Sequence, residues 1–556
     1  MRLRHCIALA ILGCAAWTVP LAAQTPAADF VLLNGKIVTV DPLFDIAQAV
    51  AVRGDRIVAV GTTAQIRAMA GSGARVIDLQ GRTVIPGLID NHGHYARAAQ
   101  TWLREARLDG ILSRSDALEK LRARARTVKP GDWVLVIGGW SEGQFADDPR
   151  GFTREELDRL VPDHPVYLQV NYSHAYVNSA ALAAAGLDEH TEDPRGGKIE
   201  HDANGRLTGR LDGAGAYMPV FRQIPPPPPE QAIAGATALL GDLSRVGITA
   251  LGDVGGYNFS PDFYKPFDAL RRENELTVRV YNTVWGDVHS PDEVTAWLPQ
   301  IPGIRAFHGD DLRDTVGYGE TMYVPLHEGP VDSGAPPPAA DLAQFRRVAS
   351  AVAEAGLYAH IHAHYHPRIS AFLDVIESIN KDVRALRPYR WTIVHAEGVT
   401  GEDLERMRRI GMMISINNWP TVGYEDQHAA LGERIYASPP LKLIRESGLL
   451  WGIGTDATVV APINPFFGLY WLVTGKSLSG HLATRDTVSR EEALIAWTRS
   501  NAHFFFRENE LGSIEPGKLA DFVVLDKDYM TVPADAIRDI KPAMTIVGGK
   551  IVYMAR

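Results

Sequence analysis

Two histidines one residue apart, His92 and His94, close the run Val84-Ile85-Pro86-Gly87-Leu88-Ile89-Asp90-Asn91-His92-Gly93-His94. In an extended strand, residues i and i+2 face the same side, so both imidazoles aim at one point. Neutral imidazole is the commonest biological ligand for zinc, and the intervening Gly93 lets the backbone approach closely. Other imidazole and acid side chains occupy the same kind of place. His360-Ile361-His362 ends one apolar run, His395 ends Trp391-Thr392-Ile393-Val394, and Asp456 follows Trp451-Gly452-Ile453-Gly454-Thr455. Each of these histidines, taken singly, reads as a satisfied core residue. Their shared placement at strand ends points instead to a metal centre assembled from distant parts of the chain.

Such a centre needs parallel strands whose ends meet. In the second half of the chain, helices at 342–356, 401–410 and 433–447 alternate with strands at 357–362, 387–394, 412–416 and 449–454. That alternation argues for a parallel α/β barrel or a doubly wound sheet. In a barrel the C-terminal strand ends converge, and we read the chain as α/β, a distorted (β/α)8 TIM barrel. Residues 29–85 are rich in strand and turn signals. Val31-Leu32-Leu33 and Lys36-Ile37-Val38, separated by Asn34-Gly35, predict a type I′ hairpin, and 49–52 with 56–60 predict a second. The pattern returns at 521–525 and around Gly548-Gly549. Two small β segments at opposite ends, each marginal alone, predict one composite β-sandwich. Residues 100–230 break the alternation and end in the proline run 225–229, read as a stiff linker closing an insertion. The expected order is a leader at 1–23, sandwich at 24–85, barrel at 86–510 with its insertion, and the rest of the sandwich at 511–556.

Composition narrows the function. Of 556 residues, 46% are hydrophobic and 22% charged, which excludes a disordered or coiled-coil chain. The formal charge of −10 supplies no cation excess to displace counterions, so no nucleic-acid partner is expected. Arg2 and Arg4 precede an apolar run at 7–19 and the small-residue exit Pro20-Leu21-Ala22-Ala23. This is the pattern of a secretory signal peptide cleaved near Ala23, too short for a membrane span. Lipoprotein anchoring at Cys14 ranks second, because the apolar run continues past it. Both cysteines, Cys6 and Cys14, fall in the removed segment. A periplasmic or secreted chain without them holds no disulfide and no thiolate ligand.

Longer stretches carry a resemblance. Pro86-Gly87-Leu88-Ile89-Asp90-Asn91-His92-Gly93-His94 is one, and Phe152-Thr153-Arg154-Glu155-Glu156-Leu157-Asp158 with Pro162-Asp163-His164-Pro165-Val166 is another. His174-Ala175-Tyr176-Val177-Asn178-Ser179 and Leu511-Gly512-Ser513-Ile514-Glu515-Pro516-Gly517-Lys518-Leu519-Ala520-Asp521 complete the set. Together they resemble the family 3 branch of the amidohydrolase superfamily, related to N-substituted formamide deformylases, over nearly the whole chain after residue 23. The resemblance implies that His92 and His94 hold one divalent ion with Asp456, and that His362 and His395 hold a second. Zinc suits the nitrogen and oxygen donors, and manganese, iron or cobalt fit similar sites. The family commonly bridges its two ions with a carboxylated lysine. The matching stretch here, Val316-Gly317-Tyr318-Gly319-Glu320, has none. Glu320 is expected to bridge instead, the alternative being a pocket-lining role and a single ion. The stretch after the fifth-strand histidine, Ala363-His364-Tyr365-His366, also departs from the family's Ala-Ile-Gly-Asp, so substrate preference does not follow from the resemblance.

The activity expected is hydrolysis of an amide or N-acyl C–N bond in a small-molecule substrate. Zinc lowers the pKa of a bound water from about 15.7 towards about 7. Asp456 then takes the water's proton and returns it to the leaving group. His174, Tyr318, His327 and Trp419 are candidates for substrate-side contacts, and the proline-rich segment 329–338 reads as a lid or rim. Two alternatives stand beside this one: ester or lactone hydrolysis on the same site, and an exported binding protein without turnover. The metal ligands weigh against the second, since binding alone needs no water-activating ion.

Overall fold

A computed structural model describes residues 27–256, 259–329 and 335–556. The expected leader with both cysteines, and residues 330–334 of the expected rim, lie outside the described residues. Eight strands form the central sheet: β1 (Leu88–Gly93), β2 (Ile248–Asp253), β3 (Arg279–Val284), β4 (Arg313–Glu320), β5 (Tyr358–Tyr365), β6 (Thr392–Gly398), β7 (Met413–Asn417) and β8 (Trp451–Gly454). Each runs parallel to the next. The Asp456 amide donates to the His92 carbonyl at 2.9 Å and the His94 amide to the Ala457 carbonyl at 2.6 Å, which closes the sheet into a barrel.

Parallel strands covered on both faces read as continuous apolar runs. Inside the barrel, Ile89, Ala250, Tyr281, Val316, Tyr358 and Met413 pack with Phe504 and Phe505. Outside, the strands meet helices such as Ala339–Glu354 and His366–Asp382. Helix Gly401–Ile410 forms where its signals predict, capped by Thr400 and ended by Gly411 at φ 85°. The helix expected at 433–447 is instead split into a 3₁₀ turn, Gly432–Ala437, and a short helix, Leu441–Glu446. Pro439 and Pro440 lack the amide donors that a continuous helix requires.

Strands from both ends of the chain share a six-stranded sheet in the order Lys550–Met554, Pro542–Val547, Phe522–Leu525, Thr83–Pro86, Lys36–Val38, Ile46–Ala47. A four-stranded sheet (Arg56–Gly61, Ala49–Arg53, Ala28–Leu33, Ala70–Asp78) packs on it through Phe30, Leu32, Val84, Phe522 and Ile546. The hairpins around Gly54 and Gly548-Gly549 form. The one expected around Asn34-Gly35 does not. Asn34, at φ 57°, turns the chain out of the first sheet, and Lys36–Val38 pairs with Thr83–Pro86 in the second. The insertion carries its own five-stranded sheet, Lys198–His201, Leu207–Asp212, His174–Val177, Val166–Val170 and Val134–Ile137. Prolines 225–228 run without regular structure from helix Ala214–Phe221 to helix Pro229–Arg245, and Pro229 opens that helix, a position where no N–H is needed.

Arg279, at the start of β3, clamps the sandwich to the barrel floor. Its Nε and Nη2 donate to Asp521 at 2.8 and 2.9 Å, and its Nη1 donates to Asp311 Oδ2 at 2.6 Å. Removing one member of a buried ion pair costs about 3–5 kcal/mol, because the other charge stays buried. Arg279→Met is therefore expected to lower the unfolding free energy by about 3–5 kcal/mol in urea melts. A loss below about 1 kcal/mol, the worth of an exposed pair, would show that the clamp is not needed.

Candidate metal centre and substrate cavity

The C-terminal ends of β1, β4, β5 and β6, with the turn after β8, bring His92, His94, Glu320, His362, His395 and Asp456 together, all buried. Asp456 Oδ1 lies 3.1 Å from His94 Nε2 and 3.6 Å from His92 Nε2. Glu320 faces both halves of the group. Its Oε2 is 3.1 Å from His362 Nδ1, 3.4 Å from His395 Nε2 and 3.6 Å from His92 Nε2, while Oε1 is 3.7 Å from His94 Nε2. Three overlapping triads hold donor atoms within 4.8 Å of one another: His92, His94 and Glu320; His92, His395 and Asp456; His362, His364 and His395.

The rings are fixed from behind. His360 Nε2 sits 2.8 Å from His92 Nδ1, and the Gly255 carbonyl accepts from His94 Nδ1–H at 2.8 Å. The Glu328 carbonyl accepts from His362 Nε2–H at 2.7 Å, and Asn417 donates to His395 Nδ1 at 2.5 Å. Such partners decide which nitrogen of each ring remains to face the centre.

Burial pushes His360 and His395 down, so both are held neutral, the form in which imidazole ligates a metal. At His92 burial also opposes the charge, but the carboxylates of Asp456 and Glu320 outweigh it and raise the ring to about 9. Desolvation works against ionised Glu320 and Asp456 as well. His362 beside the first, and His92 and His94 beside the second, nonetheless hold both carboxyls well below the usual range. A field that draws a proton onto His92 favours a divalent cation still more. His92 Nε2 is buried and has no hydrogen-bond partner among the described residues, which a metal bond would remedy. The donors, nitrogen and oxygen without thiolate, fit a divalent metal.

Two further imidazoles lie beside His362: the sequence analysis quotes His360 in the same run and His364 after it, and gives neither a role. His360 and His364 flank His362 on one face of β5, and the period-two rule that selects His362 selects them equally. His364 Nδ1 lies 2.6 Å from Glu397 Oε2, and its ring stacks on His395 with centroids 4.4 Å apart. Of the four residues expected on the substrate side, His327 and Trp419 line a cavity of about 1160 Å³ above the donors. His327 stacks on His362 at 3.8 Å between centroids. Tyr318 does not reach this cavity. Gly319, at φ 143°, interrupts the alternation of β4, so Tyr318 packs outward and its hydroxyl accepts from Trp297 Nε1–H at 3.0 Å. His174 is also elsewhere, in the insertion sheet, where its Nε2 lies 2.7 Å from Glu142 Oε1.

A sequence model of the amidohydrolase family matches residues 75–553, and one of a bacterial imidazolonepropionase-like composite domain matches residues 49–70. The chain is 27% identical over 553 residues to an N-substituted formamide deformylase of Arthrobacter pascens, covering 95% of this chain and 99% of that one. It is 27% identical over 533 residues to the putative amidohydrolase YtcJ of Bacillus subtilis, covering 92% and 96%. An uncharacterized metal-dependent hydrolase from Pyrococcus horikoshii shares the fold with a TM-score of 0.65 at 19% identity, over 91% of this chain and 99% of that one. An adenosine deaminase from Xanthomonas campestris, solved with bound zinc, gives 0.50 at 16% identity over 95% and 93%.

His174 now has a structural job that can be measured. Burial would raise the Glu142 carboxyl, but the hydrogen bond and charge of His174, with the Tyr176 hydroxyl, hold it at about 2. A carboxyl depressed in this way stabilises the fold above its unfolded pKa of about 4.3, and that contribution is lost as pH falls through about 2. His174→Phe is expected to cost about 2 kcal/mol at neutral pH by leaving the carboxylate to the Tyr176 hydroxyl alone, with bound metal unchanged by elemental analysis. The cost should shrink as pH falls below about 4. An equal cost at neutral and acid pH would contradict this account.

Proposed function

This chain belongs to the amidohydrolase family, and we propose that it is a metal-dependent hydrolase that cleaves the C–N bond of amide or N-acyl substrates at the mouth of its barrel. The observation that carries the proposal is the meeting of six donor side chains, from five strand ends, beneath one large cavity. His92, His94 and Asp456 would hold one ion and His362 with His395 a second. Glu320 would serve both, which its 3.1–3.7 Å spacing to four of the imidazoles supports. Zinc is the ion proposed, in keeping with the donor types and with the zinc bound by the deaminase that shares this fold. Export is proposed from Arg2, Arg4 and the apolar run that follows them.

A divalent ion in such a centre supplies Lewis acidity, acidifying a water and polarising the scissile carbonyl. The chain's own residues do the rest. Asp456 takes the proton of the attacking water and delivers it to the leaving nitrogen, without which a tetrahedral adduct collapses back to the amide. His360, the Gly255 carbonyl and Asn417 hold the imidazoles in place in advance, so the centre need not reorganise during the reaction. His327 and Trp419 narrow the approach from above.

Chelation is expected to abolish hydrolysis of N-formyl and N-acetyl amines, and added zinc to restore it. Asp456→Asn should lower kcat by about 10²–10⁴-fold while substrate binding persists in calorimetry. His360→Phe should weaken metal affinity about 10–100-fold in competition with a chelator, by freeing the His92 ring. Turnover of esters alone, or full activity in protein stripped of metal, would overturn the proposal.

A further inference from the structure

We infer that Glu328 is a positioning residue for the second ion, acting through His362, and that its pairing with Arg368 holds it in place. The inference rests on the two-ion centre proposed above and names residues outside that centre that set its hold on the second ion. Glu328 follows the 3₁₀ turn Val324–Leu326, in the segment between β4 and helix Ala339–Glu354. Its carbonyl accepts from His362 Nε2–H at 2.7 Å. A carbonyl can only accept, so that ring nitrogen carries the proton. Nδ1 is thereby left bare, and it is the nitrogen that lies 3.1 Å from Glu320 Oε2. With the carbonyl displaced, nothing fixes the proton on Nε2. A proton on Nδ1 closes that nitrogen to a cation.

A loop carbonyl has no fixed direction of its own, and here the side chain of the same residue supplies one. Its Oε1 accepts from the amides of His364 at 2.7 Å and Tyr365 at 3.1 Å, at the end of β5. Its Oε2 accepts from Arg368 Nε at 2.9 Å, and Arg368 Nη1 donates to the Leu326 carbonyl at 2.6 Å. Arg368 stands in the first turn of helix His366–Asp382, into which β5 leads. The loop is therefore bolted both to the strand that carries His362 and to the helix after it. Carbonyl and ring move as one body.

The latch needs its charges. Glu328 is buried, so its carboxylate requires a countercharge, which Arg368 provides. A glutamine there would turn an N–H against a donor, either the strand-end amides or the guanidinium. The ligands of the first ion have other supports: His92 rests on His360, and His94 on the Gly255 carbonyl. Loss of the latch thus reaches one ion and spares the other.

The test titrates metal-free protein with zinc in competition with a chelator, which reads affinity without turnover. Two binding steps are expected, and His362→Ala identifies the one that belongs to the second ion. Arg368→Met and Glu328→Gln should each weaken that step about 10–100-fold and leave the other unchanged. Arg368→Lys keeps a charge beside Oε2 and should recover part of the loss. Arg406→Met is the control for lost stability alone. Arg406 pairs with Asp374 and Glu377 further along the same helix, at 2.6 and 2.9 Å. Its removal should lower the melting temperature with both zinc steps unchanged. An unchanged second step in Arg368→Met and Glu328→Gln, equal weakening of both steps, or the same loss in Arg406→Met would overturn the inference. So would the lack of any zinc step that responds to His362→Ala. The expected pattern in a protein that cleaves no N-acyl amine would sink the hydrolysis reading and leave the latch standing.

Discussion

Asp90, buried on β1, accepts hydrogen bonds from the backbone amides of His92 at 3.1 Å and Thr455 at 3.0 Å, and from the hydroxyls of Tyr95 and Thr455. Through these bonds one carboxylate ties the first barrel strand to the turn that carries Asp456. Asn501 repeats the tie one layer below, donating to the carbonyls of Ile89 at 2.6 Å and Ile453 at 2.7 Å. Burial pushes the Asp90 carboxyl up, and its four donors work against that shift. The positions of His92 and His94 relative to Asp456 follow from this tie.

The insertion completes what the barrel begins. Alone, the strand ends would present the donors to open water. Helix Ala214–Phe221 and the prolines after it line the cavity beside them and deepen the mouth. Tyr172 reaches back from the insertion to Arg97, so the cavity wall is shared between two parts of the chain.

Much of this is legible in the sequence, and the boundary has physical reasons. Strands buried on both faces leave uninterrupted apolar runs, and candidate donors at their ends can be read by position, as with His92, His94, His362, His395 and Asp456. Glu320 needed the family resemblance, because one carboxylate after a glycine-rich stretch carries no periodic signal. Tyr318 misleads for a related reason: its spacing from Glu320 promises a shared face, and Gly319 removes it. Arg97 and Tyr172 meet across 75 residues of chain, and Asn417 and His395 across 22, so neither pairing leaves a local pattern. Asn34-Gly35 has the chemistry of a hairpin, but a better partner strand arrives from residues 83–86.

Thr83–Pro86 lies between Lys36–Val38 and Phe522–Leu525 in the composite sheet. During synthesis, its flank towards Phe522–Leu525 stays unpaired until nearly the whole chain has emerged. An unpaired apolar flank is what recruits a neighbouring nascent chain into the wrong sheet. A message cut short before residue 522 thus yields no smaller enzyme. A chain ending before Asp521 would also leave buried Arg279 with Asp311 as its remaining carboxylate partner. The sheet that Thr83–Pro86 begins is completed by strands near the end of the chain.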